Sequence, residues 1–121
     1  MCGISGIISS DNRNHTQDIL KMISSLNHRG PDFNDSWIDR NNQVYLGHNR
    51  LSIIDLSIKA NQPMHSNNNR YVIIYNGEIY NHLELKDELI LNNQNVKFNS
   101  YSDTEIILES ISFWGFEKAI K

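Results

Sequence analysis

Three stretches of helical spacing and a set of short β-branched runs, cut apart by turn residues, restrict this chain to a layered α+β fold. Residues 2–9 are small and β-branched and read as a first strand. Asp11 to Asn14 make a turn. Thr16 caps a helix running to Leu26, with Ile19, Met22, Ile23 and Leu26 as its apolar stripe. Gly30-Pro31 ends any helix there, so His28 to Asp32 is a loop. Ser36 to Asp39 and Val44 to His48 read as a hairpin across Arg40-Asn41-Asn42, and Arg50 to Asp55 as a further extended stretch. Leu56 to Asn69 reads as a polar loop holding Gln62-Pro63-Met64. Tyr71 to Tyr75 is the clearest strand and stops at Asn76-Gly77. Helical spacing resumes with Ile79, Leu83 and Ile90 on one face and the Lys86 stem between them. Val96 to Phe98 reads as a short strand. Ser102-Asp103-Thr104-Glu105 is a capping-box pattern. It opens a third helix with Ile107, Ile111 and Trp114 on one side, ended by Gly115.

A length of 121 residues suits one small domain. Three helices and a partial sheet leave sheet surface uncovered, so the chain reads as a piece of a longer domain. Charged residues make up 21% with a net charge of -3 and the signs interspersed, which points away from nucleic-acid and membrane partners. No apolar run approaches the roughly 20 residues of a membrane helix. The start has neither a basic n-region nor a long apolar h-region, so no signal peptide is expected and the composition fits the cytoplasm. The single cysteine allows no internal disulfide. The five histidines stand at no zinc-like spacing, so no metal site is expected. The Asn67-Asn68-Asn69 run reads as loop composition.

That one cysteine is Cys2. With Met1 removed it carries a thiol and a free α-amine in one residue. Their reference pKa values are about 8.5 and about 7.7–8.0, so the amine can take the thiol proton near neutrality. A free cysteine is also a common small buried hydrophobe. Asn76-Gly77 follows a strand and precedes helical spacing, which argues against the usual hairpin turn. An Asn side-chain amide and a Gly backbone N–H can together form an oxyanion hole. Arg50 at a strand end can grip a carboxylate through two parallel hydrogen bonds or be a solvated surface residue. Asp103 can serve a helix N-terminus or hold a substrate ammonium, and Glu78 can do the latter. His28 and Arg29 can brace the loop or wall a pocket.

Six blocks occur in one order. They are Met1-Cys2-Gly3-Ile4, His28-Arg29-Gly30-Pro31-Asp32, Gly47 to Asp55, Gln62-Pro63-Met64, Asn76-Gly77-Glu78-Ile79-Tyr80-Asn81-His82 and Ser102 to Glu105. The set resembles the class II glutamine amidotransferase domain, an N-terminal-nucleophile hydrolase. It looks most like the branch that heads glutamine-hydrolysing asparagine synthetases. The resemblance implies an αββα four-layer sandwich lacking its C-terminal strands, with residues 1–121 as the N-terminal part of that domain. Cys2 would attack glutamine, and Asn76 and Gly77 would hold the oxyanion. Arg50 would hold the α-carboxylate beside a wall of Leu51, Ser52, Ile53 and Ile54, with Glu78 and Asp103 on the α-ammonium. The partners implied are L-glutamine and a covalently linked synthetase domain, which this sequence lacks. The half-reaction would need no cofactor, whereas the synthetase would use ATP and Mg²⁺ to amidate aspartate. A sugar acid is the alternative acceptor, and a non-catalytic binding module the alternative role. Assembly as a homodimer is left open.

Overall fold

Side chains alternate across a strand, so strand register decides which residues meet the first helix. In the computed structural model, which describes residues 1–52 and 57–121, three strands form an antiparallel sheet in the order β1-β3-β2. They are β1 (Gly3–Ile8), β2 (Phe33–Asp39) and β3 (Val44–Arg50). Gly3 pairs with Asn49, Ser5 with Gly47 and Ile7 with Tyr45, while Ser36 and Ile38 of β2 face Gly47 and Tyr45. Helix α1 (Thr16–Ser25) lies on the face these residues share. Ile19 and Ile23 pack on Tyr45, flanked by Ile7 and Ile38. Gly47 is the point of closest approach: an added Cβ would stand 2.6 Å from both Ile23 Cγ1 and Ser5 Oγ.

Thr16 is the first helical residue and not the cap. Its N–H and hydroxyl donate to Asn14 Oδ1 at 3.1 and 2.6 Å. His15 places one ring nitrogen 2.9 Å from Asp11 and the other 2.9 Å from Asp18, and these carboxylates raise its pKa.

The chain folds as two compact units. The first comprises Met1–Ile53, Asn61–Pro63 and Ile74–Asn76, and the second Ile54–Ala60, Met64–Ile73 and Gly77–Lys121. In the second, β4 (Met64–His65) pairs antiparallel with β5 (Val72–Ile73). Helices α2 (His82–Asn92), α3 (Asp103–Trp114) and α4 (Phe116–Ala119) follow. The whole is a mixed α/β arrangement with small sheets.

Helix α3 is buried from Thr104 to Ile111, and that stretch includes two carboxylates, Glu105 and Glu109. Buried charges need partners, and backbone N–H groups supply them. Glu105 accepts from Asn99 N–H at 2.8 Å, Ser100 N–H at 2.7 Å and the Ser100 hydroxyl at 2.6 Å. Glu109 accepts from Asn67 N–H at 2.7 Å, and burial raises its pKa. Ser102 caps α3, accepting from Thr104 N–H at 3.2 Å. Glu105 does not complete a capping box, because its carboxylate is bound to Asn99 and Ser100.

Three further expectations are corrected. The strand read over Tyr71 to Tyr75 is confined to Val72–Ile73, and its partner Met64–His65 lies in the segment read as loop. Ser66 closes that turn, donating its N–H to the Tyr71 carbonyl and accepting the Tyr71 N–H on its hydroxyl. Val96 to Phe98 is not a strand. The Asn67 side chain donates to the Lys97 carbonyl at 2.8 Å, and Asn99 N–H is bound to Glu105, so side chains satisfy this backbone. On α2 the buried residue is Leu89, whereas Leu83 is 65% exposed. The inward face carries Lys86, whose Nζ stands 4.9 Å over the Phe98 ring. The extended stretch expected over Arg50 to Asp55 lies outside the described residues beyond Ser52. So does Leu56, at the start of the segment read as loop.

Gly47→Ala should destabilise the protein by about 1–3 kcal/mol through overpacking against α1. Gly6→Ala, whose Cβ would meet nothing closer than 3.6 Å, should be tolerated. Urea unfolding midpoints of the two variants check this.

Candidate active site

The β1–β3 register carries Cys2, one residue before β1, to the residues that follow β3. Leu51 N–H donates to Cys2 Sγ at 3.3 Å, and the thiol points back at the Leu51 carbonyl at 3.7 Å. The preceding residue is Arg50, buried to 7% exposure, whose Nη1 donates to Asn61 Oδ1 at 2.5 Å. The strand pairing thus brings Cys2 to Leu51, the residue after Arg50. Leu51 and Ser52 are half-buried beside them, while Ile53 and Ile54 lie outside the described residues.

The His28–Asp32 loop is laid along this junction. Arg29 Nε donates to the Cys2 carbonyl at 3.2 Å. Asp32 donates its N–H to the Arg50 carbonyl at 3.1 Å and accepts Ser52 N–H at 2.7 Å. Gly30 makes the close approach possible, because a Cβ there would stand 2.4 Å from the Asn49 carbonyl. His28 instead faces the end of α1, with Nδ1 3.1 Å from the Ser25 carbonyl. Both His28 and Arg29 thus make hydrogen bonds that brace the loop.

Asn76 belongs to the same unit and is exposed. Tyr75 before it donates its N–H to Gln62 Oε1 at 2.5 Å. His48, on the same face of β3 as Arg50, is fully buried. Burial pushes its pKa down to about 4; the Arg50 charge adds to the shift and the Tyr75 backbone opposes it. Neither His48 ring nitrogen has a well-aligned hydrogen-bond partner among the described residues. The ring is therefore neutral at physiological pH.

The second unit holds Gly77, Glu78 and Asp103. Gly77 and Glu78 are exposed in the turn before α2, so Asn76-Gly77 is not a hairpin. Asp103 is the first residue of α3, and its Oδ2 accepts Ile79 N–H at 2.8 Å. Its carboxylate thereby ties down the residue that follows Glu78, and the cap position belongs to Ser102.

The residues that sequence reasoning leaves without a role are Gly30, Asp32, Asn61 and Gln62. Gly30, Asp32 and Gln62 fall within quoted blocks, but Asn61 has no signature beyond loop composition. Among the described residues no group of His, Cys, Asp and Glu could hold a metal ion, and no helix is long and apolar enough to cross a membrane.

A neutral buried His48 predicts a pH effect. Its folded pKa lies below the unfolded value of 6.5, so its contribution is fully present above pH 6.5 and is lost as pH falls towards 4. The loss should reach ~3 kcal/mol. His48→Gln should flatten the decline in unfolding midpoint between neutral and acid pH, and an unchanged slope would remove the assignment.

Comparison with known proteins completes the description. A family model described as a glutamine amidotransferase domain matches residues 1–121. An asparagine synthetase [glutamine-hydrolyzing] 1 of Bacillus subtilis is 38% identical, covering 100% of this chain and 19% of the relative. A protein of the same name in Arabidopsis thaliana is 36% identical over 97% of this chain and 19% of its own length. An amidase, chry2, of Gibberella zeae is 33% identical over 95% of this chain and 18% of its own length. The chain spans a quarter or less of the curated relatives it matches.

Proposed function

The chain belongs to the glutamine amidotransferase domain family, and from that membership we propose that Cys2 is the nucleophile of a glutaminase half-site. The observation that carries the reading is the hydrogen bond from Leu51 N–H to Cys2 Sγ beside buried Arg50. That bond fixes the sulfur at the end of β3, next to the residue assigned to the substrate carboxylate. Met1 is 75% exposed, consistent with its removal to free the α-amine.

The α-amine takes the thiol proton as sulfur attacks the side-chain carbonyl carbon of glutamine. The Asn76 side-chain amide and Gly77 N–H receive the developing oxyanion. Collapse of the tetrahedral intermediate breaks the C–N bond. The amine returns its proton to the leaving nitrogen, and ammonia departs. Water then attacks the glutamyl thioester, releasing glutamate and restoring the thiol. Arg50 binds the α-carboxylate, because a guanidinium can grip a carboxylate through two parallel hydrogen bonds. Leu51 and Ser52 form the adjoining wall, and Glu78 and Asp103 hold the α-ammonium. This half-reaction uses no metal or organic cofactor.

The fold we propose is the N-terminal part of an αββα sandwich, with the remaining strands and an ATP- and Mg²⁺-dependent synthetase domain elsewhere in the full-length protein. The relatives named asparagine synthetase favour aspartate as the ammonia acceptor. A cytoplasmic enzyme, able to form homodimers, accords with this reading.

Treatment with an electrophilic glutamine analogue should leave one adduct on Cys2 in protein that has lost Met1, with excess glutamine protecting. Intact mass and peptide mapping read this, and an adduct absent or unprotected overturns the site. In the full-length protein, Cys2→Ser should abolish glutamine-dependent turnover and spare ammonia-dependent synthesis. Arg50→Ala should raise KM for glutamine by roughly 10- to 100-fold, the size of a lost charge-assisted hydrogen-bond pair. An unchanged KM would remove the carboxylate assignment.

A further inference from the structure

Two adjacent side chains in the first unit hold two different arms of the site. Asn61 Oδ1 accepts the Arg50 guanidinium, and Gln62 Oε1 accepts the N–H of Tyr75, the residue before Asn76. Gln62 is buried to 7% exposure, so its side chain has little freedom to leave this contact. The contact also answers a backbone need. Among the described residues strand β5 stops at Ile73, and two residues on, the Tyr75 N–H donates to a side-chain acceptor 13 residues away in sequence. A backbone donor inside a protein requires such a partner. Here the partner also sets the direction in which the chain enters Asn76.

We propose that Asn61-Gln62 is a positioning dipeptide that ties the substrate-carboxylate arm to the oxyanion arm. Asn61 orients the guanidinium of Arg50, and Gln62 orients the backbone that presents Asn76. The inference rests on the glutaminase reading above and deepens it. Neither residue touches the reacting atoms; each acts through its neighbour. Because the two are linked by one peptide bond, the separation between the group that holds the α-carboxylate and the group that meets the oxyanion is set by a short rigid path. Glutamine has a fixed distance between those two ends, so the dipeptide also contributes to choosing its chain length.

The two residues should fail in opposite ways. Gln62→Met keeps the volume and removes the acceptor. It should lower kcat for glutamine hydrolysis by about 10- to 100-fold, as expected for a displaced catalytic group, with KM changed by less than about twofold. Gln62→Glu keeps the acceptor oxygen and should recover most of kcat. Asn61→Ala should raise KM for glutamine several-fold and leave kcat nearly unchanged. If both substitutions move kcat and KM together, or if Gln62→Glu is as impaired as Gln62→Met, the proposal is wrong.

Amide hydrogen exchange at Tyr75, read by NMR on the full chain, tests the clamp without turnover. Exchange should accelerate at least tenfold in Gln62→Met and stay unchanged in Asn61→Ala. Equal exchange in wild type and Gln62→Met overturns the clamp whatever the activity. The exchange contrast in a chain that hydrolyses no glutamine overturns the glutaminase reading instead. Gln62→Asn, which shortens the reach by one methylene, replaces Gln62→Met if that variant does not fold.

Discussion

The pairing of Gly3 with Asn49 is the constraint on which the rest of the first unit depends. It brings Cys2 to Leu51 and, in the same register, turns Ile7 and Tyr45 towards α1. A slip of one residue would invert both faces at once, exposing the core and moving the thiol away from Arg50. The small residues Ser5 and Gly47 hold that register open for the helix. Ile23 packs where a Cβ on Gly47 would otherwise stand, and that contact in turn fixes the sheet beneath the site.

Around that register, side chains take over backbone hydrogen bonding where the sheets stop. Asp32 binds the backbone on either side of Leu51, and Gln62 binds Tyr75. In the second unit Glu105 and Glu109 do the same for Asn99, Ser100 and Asn67. Burying a carboxylate is costly, and each of these recovers part of that cost by accepting backbone N–H groups. The strands can then be short, because the segments beyond them are satisfied without a ladder. The many asparagines take part in this scheme. Asn14 receives the start of α1, Asn61 receives Arg50, and Asn67 bridges Lys97 and Glu109. Read as sequence, they carried only the weight of loop composition.

Much of the architecture was legible in advance. The stripe of Ile19 and Ile23, the hairpin across Arg40 to Asn42 and the break at Gly30-Pro31 are local patterns, and local patterns survive folding. The family was legible as well, because its six blocks are contiguous runs of residues. The errors have a common physical source. Val96 to Phe98 has strand composition, yet Asn67 and Glu105 bind the backbone in and beside it. Leu83 has helical spacing, yet the face with Leu89 is the one that found something to pack on. Composition and spacing state what an element can do; a partner distant in sequence decides whether it does so.

The same division holds for the candidate site. The sequence by itself determined the chemical groups: one thiol next to the start, one arginine at a strand end, an Asn-Gly step before a helix and an aspartate at the head of another. These are properties of residue type and immediate neighbours. Only the tertiary structure decided which distant groups hold them. Leu51 as the donor to sulfur, Asn61 as the acceptor for Arg50 and Gln62 as the acceptor for Tyr75 all depend on contacts across 11 to 49 residues of chain. Such contacts form because unpaired polar groups in a closing core must find partners. The chain's path through space, and no local pattern, determines which partners are within reach.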